Sequence, residues 1–170
     1  GGGFGRKLNV EVAVEAARLS KAVGKPVHVG WDRTEDLRYG YFRPPTHNVL
    51  RGKLDDNGRL QAIQHHQASG DVAFPFFPAF LKIVMGADFG AWRGSTIQYG
   101  IPNINTTAWR TPLPIPTGWW RGLGLLANVF AIESFMDEAA HAAGVDPLQF
   151  RLNHLPDTEF GARFRAVLQA

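Results

Sequence analysis

The chain has 170 residues, 45% of them hydrophobic, with 18 Lys and Arg against 15 Asp and Glu for a formal charge of +3, and no cysteine. That length is enough for one ordinary domain with a core, while the missing cysteines exclude disulfides, thiolate zinc sites and cysteine-ligated iron–sulfur clusters. The basic residues are scattered, which argues against nucleic acid. No apolar run approaches the roughly 20 residues that span a bilayer, and no leader pattern is legible, so the compartment stays open between cytoplasm and periplasm.

Gly1-Gly2-Gly3-Phe4-Gly5-Arg6-Lys7 opens the chain. Glycines let backbone approach a ligand closely, and a helix that follows leaves its first N–H groups free to face an anion, with Arg6 and Lys7 adding positive charge. Phe4 between glycines suits a loop that closes over a flat ligand. Leu8, Val12, Ala16, Leu19 and Val23 then recur at helical spacing, Gly24 is a left-handed cap, and Pro26 prevents continuation. Residues 26–31 read as a short buried strand, with His28 a half-buried strand residue. Thr34 is the expected cap of a turn or short helix at 34–36. Two strand-like runs, 47–54 and 59–68, flank Asp55-Asp56-Asn57-Gly58, where Asn-Gly supplies the positive φ of a hairpin turn. His65 and His66 are adjacent, so on a strand they face opposite sides and share no metal.

Residues 70–100 carry Phe74, Phe76, Phe77, Phe80, Phe89 and Trp92, interrupted by Pro75 and Pro78. The spacing allows one short helix, 79–85, in a segment that packs over the core, walls an apolar pocket or contacts another part of a larger protein. Residues 99–110 read as extended, and 111–116 as a fixed irregular connection because of three prolines. Thr117-Gly118-Trp119-Trp120-Arg121-Gly122-Leu123-Gly124 is a second glycine-bordered loop feeding a long helix, 125–143. That helix is expected to bury Leu126, Val129, Phe130 and Met136. Glu133, Asp137 and His141 form a stripe at four-residue spacing, a solvated face or, at Glu133, a general base. Asp146-Pro147 opens a last short helix through about His154, and a weak helix follows over 160–170. The fold class is α+β: a small sheet with the 47–68 hairpin packed against amphipathic helices, the opening helix among them.

Five motifs stand in an order that resembles the molybdenum hydroxylases, the xanthine dehydrogenase and aldehyde oxidase family, in their molybdopterin-binding large subunit. They are the Gly1 to Lys7 loop, Trp31-Asp32-Arg33-Thr34-Glu35-Asp36, Trp120-Arg121-Gly122, Glu133-Ser134-Phe135-Met136-Asp137-Glu138, and Asp146-Pro147-Leu148-Gln149-Phe150-Arg151. Arg6 stands where a glycine is usual and Leu8 where purine-oxidising members have glutamate. In this the chain is similar to the isoquinoline 1-oxidoreductase beta-subunit branch. The resemblance implies a molybdopterin cofactor held in part by Gly3, Phe4, Gly5 and Arg121, with iron–sulfur clusters on a partner subunit. It implies hydroxylation of an N-heteroaromatic or aldehyde carbon with water as oxygen source. No catalytic residue and no protein metal ligand are expected in residues 1–170, which read as one fragment of a molybdopterin-binding domain. The family's catalytic glutamate lies in a carboxy-terminal motif that this sequence lacks. The expected partners are the remainder of the same large subunit, the small iron–sulfur subunit and the substrate. A glycine-loop nucleotide- or phosphate-binding domain, or a non-catalytic interaction module, are the alternatives.

Overall fold

In a computed structural model of the chain, residues 3–170 are described, Arg6 by its main chain alone. The expectations for Gly1, Gly2 and the Arg6 charge therefore lie outside the described residues. The hairpin forms where Asn57-Gly58 directs it. Strand β1 (Thr46–Leu54) pairs antiparallel with β2 (Leu60–Ser69), from Thr46 opposite Ser69 to Gly52 opposite Ile63, with an irregularity at Lys53 and Leu54. Gly58 takes φ 73°, its N–H donates to the Asp55 carbonyl, and the Asp55 carboxylate accepts from the N–H groups of Asn57 and Arg59. Along β2, Ile63, His65, Gln67 and Ser69 are buried and the residues between them are not, which is the two-residue period of a strand. His65 and His66 thus point to opposite faces.

The third strand, β3 (Asn103–Arg110), runs parallel to β2, with Ala62 opposite Asn103 and Ser69 opposite Arg110. Parallel neighbours need a long crossover. Residues 70–102, which include the aromatic segment, supply it. Among the described residues the α-helices are α1 (Glu11–Val23), α2 (Arg33–Tyr39), α3 (Ala79–Met85), α4 (Phe89–Trp92), α5 (Leu125–Ala143), α6 (Pro147–Asn153) and α7 (Glu159–Leu168). One core joins hairpin and carboxy-terminal helices: Leu60 and Ile63 from β2, Ile97, Tyr99 and Ile101 from the crossover, Ile132, Met136, Ala139 and Ala140 from α5, and Phe150 from α6.

Several sequence expectations are corrected here. Residues 26–31 form no strand: no neighbouring edge offers hydrogen bonds to them, and Trp31 instead donates its indole N–H to Glu15 on α1. The α2 cap is Asp32 rather than Thr34, its carboxylate accepting the Glu35 N–H at 2.8 Å. The opening helix begins at Glu11, after a 3-10 turn at Arg6–Leu8, and buries none of its residues. It is therefore not packed on the sheet, and is tied instead by Trp31 to Glu15 and by the Tyr41 hydroxyl to Glu11. On α5 the buried stripe is Asn128, Ile132, Met136, Ala139 and Ala140, whereas Leu126 and Phe130 are 60% and 74% exposed. Apolar residues surround this helix, so type alone did not select the face. A polar residue did: Asn128 turns inward to donate to the carbonyls of Ala91 and Arg93.

Candidate functional site

Two glycine loops meet main chain to main chain. In the first, Phe4 takes φ 49° and Gly5 φ 96°, and the Leu8 N–H closes the turn on the Gly5 carbonyl. A Cβ on Gly5 would stand 2.8 Å from the Trp119 carbonyl group, so only glycine fits both the angle and the approach. The second loop, 117–124, feeds α5. Its Trp119 ring lies in a bed made by the aromatic segment, 5.9 Å from Phe76 and from Phe89 and 6.4 Å from Phe77 between ring centres. The segment that the sequence left with three readings therefore packs beneath the second glycine loop.

The bed itself hangs on one buried carboxylate. Asp88, 4% exposed, accepts the N–H groups of Val72, Ala73 and Phe74 and those of Gly90 and Ala91 at the start of α4. Gly90 in turn accepts the Gly124 N–H at 2.8 Å, which joins the bed to the first turn of α5. Nothing in the sequence around Asp88 announces this. Its donors are backbone groups brought in from both sides of α3.

Where the loops touch, the Arg121 guanidinium lies over the Phe4 ring at 5.6 Å from its centre, a contact worth about 0.5–1 kcal/mol at an exposed site. Phe4 is 62% exposed. Among the described residues, Phe4 and Leu123 (φ 53°) are the two non-glycine residues with positive φ, one in each loop. Such angles cost roughly 1–2 kcal/mol each and gather at functional sites. The N–H groups of Phe4, Gly5, Trp119, Trp120, Arg121 and Gly122 have no acceptor among the described residues. Unpaired N–H groups beside a guanidinium form a donor set suited to anionic or oxo groups. Of the sequence candidates, Phe4, Gly5 and Arg121 thus share one surface, while a Cβ on Gly3 would stand 3.6 Å from the Lys7 side chain.

The two loops thus form one paired surface, and the family of the molybdopterin cofactor-binding domain matches residues 1–155. The chain belongs to that family. The chain is 33% identical over 163 residues to the isoquinoline 1-oxidoreductase subunit beta of Brevundimonas diminuta, covering 95% of this chain and 21% of that protein. It is 34% identical over 161 residues to the aldehyde oxidoreductase molybdenum-binding subunit PaoC of Escherichia coli K12, covering 94% and 20%. In structure it is similar to the aldehyde oxidoreductase of Desulfovibrio gigas, with a TM-score of 0.73, 26% identity, and 94% of this chain against 17% of that one. The chain spans about a fifth of the length of the curated relatives it matches.

The Glu133 stripe of this molybdopterin-binding domain has another task. Arg151 donates to the Glu133 carboxylate at 2.8 Å, to Asp137 at 2.6 Å and to the Glu133 carbonyl at 2.9 Å, while the Tyr99 hydroxyl donates to the same carboxylate at 2.9 Å. Burial, and after it the Glu133 charge, push the Tyr99 phenol well up. Two of the five sequence motifs are thereby one tie between α5 and α6. The Glu133 carboxylate is held in that tie by Arg151 and Tyr99.

Proposed function

We propose that the two loops are part of the wall that places the molybdopterin of a molybdenum hydroxylase, with Gly3, Phe4, Gly5 and Arg121 its residues in this chain. The observation that carries the reading is the pairing of loops: each holds one strained non-glycine residue, and they meet through Arg121 over Phe4. The N–H groups of 119–122 and the Arg121 guanidinium would donate to the cofactor's anionic and oxo groups. No group of three His, Asp or Glu among the described residues is placed to hold a metal, so the molybdenum would arrive on the cofactor's own dithiolene sulfurs. When bound, that cofactor supplies two-electron oxidation of a carbon with water as the oxygen source.

The residues of this chain orient the group rather than react. The substrate class is an N-heteroaromatic or aldehyde carbon, in keeping with relatives whose names carry isoquinoline and aldehyde. Electrons pass to iron–sulfur clusters on a partner subunit, and residues 1–170 form one fragment of the large subunit, whose remainder covers the exposed apolar side chains of α1 and α3. In the full-length enzyme, Arg121→Ala should lower molybdenum content or turnover while leaving the subunit folded by circular dichroism. Unchanged molybdenum together with unchanged turnover would overturn the assignment.

A further inference from the structure

Arg43 stands between Phe42 and Pro44-Pro45 and belongs to no helix or strand. Its guanidinium reaches across the chain to the second glycine loop. Nη1 donates to the Leu123 carbonyl and Nη2 to the Arg121 carbonyl, each at 2.7 Å. These two carbonyls flank Gly122, and Gly122 and Leu123 are consecutive residues with positive φ, 83° and 53°, as Phe4 and Gly5 are in the first loop. The backbone beside Arg43 grips the other end of the same loop. The Phe42 N–H donates to the Pro116 carbonyl at 2.9 Å, and the Gly118 N–H donates to the Phe42 carbonyl at 3.1 Å. One short segment therefore staples residues 116–118 with its main chain and residues 121–123 with its side chain. Among the described residues Arg43 has no carboxylate partner. Its charge is spent on carbonyl oxygens alone.

We infer that Arg43 is the positioning residue of the second loop, holding the Gly122–Leu123 corner left-handed so that Arg121 and the free N–H groups of 119–122 face the cofactor. The inference rests on the cofactor reading above, and it goes beyond it by naming a residue that touches no cofactor. Geometry makes the arginine specific. A planar fork meets two carbonyls at once, and in the trans peptide whose Arg121 carbonyl turns toward the fork the Gly122 N–H is turned away from it, while the Gly124 N–H opposite the Leu123 carbonyl donates to Gly90. A lysine, with one compact ammonium, satisfies one carbonyl and leaves the other free to rotate. Relaxation of that peptide would release Leu123 toward ordinary negative φ and swing Arg121 off Phe4.

The test uses the full-length enzyme with Arg43→Ala and Arg43→Lys, read by amide hydrogen exchange over residues 117–125, by molybdenum content and by kcat and KM. Exchange at the hydrogen-bonded amides of this stretch, Gly118, Leu123, Gly124 and Leu125, should rise about tenfold or more in both variants, with the 46–69 hairpin unchanged as an internal control for folding. Molybdenum content or kcat should fall more than KM changes, and millimolar guanidinium should restore part of the loss in Arg43→Ala but not in Arg43→Lys, where the lysine occupies the space. Unchanged exchange in 117–125, or full function in Arg43→Lys, would overturn the positioning role whatever the cofactor does. Faster exchange with unaltered molybdenum and kcat would instead overturn the cofactor reading of the loop while leaving the staple in place.

Discussion

Single residues in this chain do work that their type does not advertise. His154 is 4% exposed, and both its ring nitrogens are committed: Nδ1 faces the Phe150 carbonyl at 2.7 Å as a donor, and Nε2 accepts the Leu60 N–H at 2.9 Å. That arrangement fixes the neutral tautomer. Burial lowers its pKa most, with the Arg59 charge adding to the effect and the Phe150 carbonyl and Asp55 opposing it. A lowered folded-state value means that the unfolded chain binds a proton first as pH falls, so stability is full above about pH 6.5, the ordinary histidine value, and declines below it until the folded value is reached. His65, whose pKa burial also lowers, contributes in the same sense. Urea unfolding from about pH 7.5 to 5 should show this decline, and His154→Gln should flatten it while lowering stability at neutral pH. A variant with the wild-type pH slope would remove His154 as a source.

At the scale of elements, the crossover from β2 to β3 matters more than its irregular look suggests. Its 3-10 turn (Phe74–Phe76) and α4 are joined by Asp88 through five backbone N–H groups. Removing the carboxylate orphans the buried N–H groups of Val72, Ala73, Phe74 and Gly90, whereas Ala91 keeps the Asp88 carbonyl at 2.9 Å; each orphan costs about 1–3 kcal/mol if none finds water, although such costs do not add. Asp88→Ala should therefore lose at least about 3 kcal/mol of stability, and Asp88→Asn less, since one acceptor oxygen remains. The check is denaturant unfolding of both variants, followed by circular dichroism. Equal and small losses would show that the nest is dispensable. The hairpin, by contrast, depends on local chemistry, and α5 depends on both: its length follows from its own pattern, its rotation from Asn128.

At the scale of the molecule, the apolar surface is unfinished. Val10, Val12, Val14 and Leu19 on or beside α1, and Phe80, Ile83 and Val84 on α3, are 43–82% exposed. β3 is exposed along most of its length and has one hydrogen-bonded neighbour among the described residues. Exposed apolar patches and open strand edges mark contact surfaces. No helix among the described residues is long and apolar enough to cross a membrane. If the two loops are one wall of the cofactor site, as proposed, and with the chain spanning about a fifth of its relatives, the isolated 170 residues should fold around the hairpin and α5 core, carry no molybdenum and show no hydroxylase activity. Metal analysis and dye reduction with aldehydes and N-heterocycles check this. Stoichiometric molybdenum, or turnover on any of them, would falsify the need for the rest of the subunit.

What the sequence determined by itself is what neighbours in the chain decide. Asn57-Gly58 sets the turn, Gly24 and Gly144 end helices in left-handed angles, Asp146 caps α6, and the two glycine loops with Phe4 and Arg121 are readable as motifs. The ordered motifs also carried the family. Tertiary structure alone decided which apolar residues on α5 go inward, that α1 stays uncovered, that 26–31 lacks a strand partner, and that Glu133 is consumed by Arg151 and Tyr99. It also brought Arg43 to carbonyls 78 and 80 residues away and five backbone donors to Asp88. The physical reason is the same in each case: a backbone carbonyl or N–H is present at every position, so a side chain that recognises one leaves no mark on the partner's sequence.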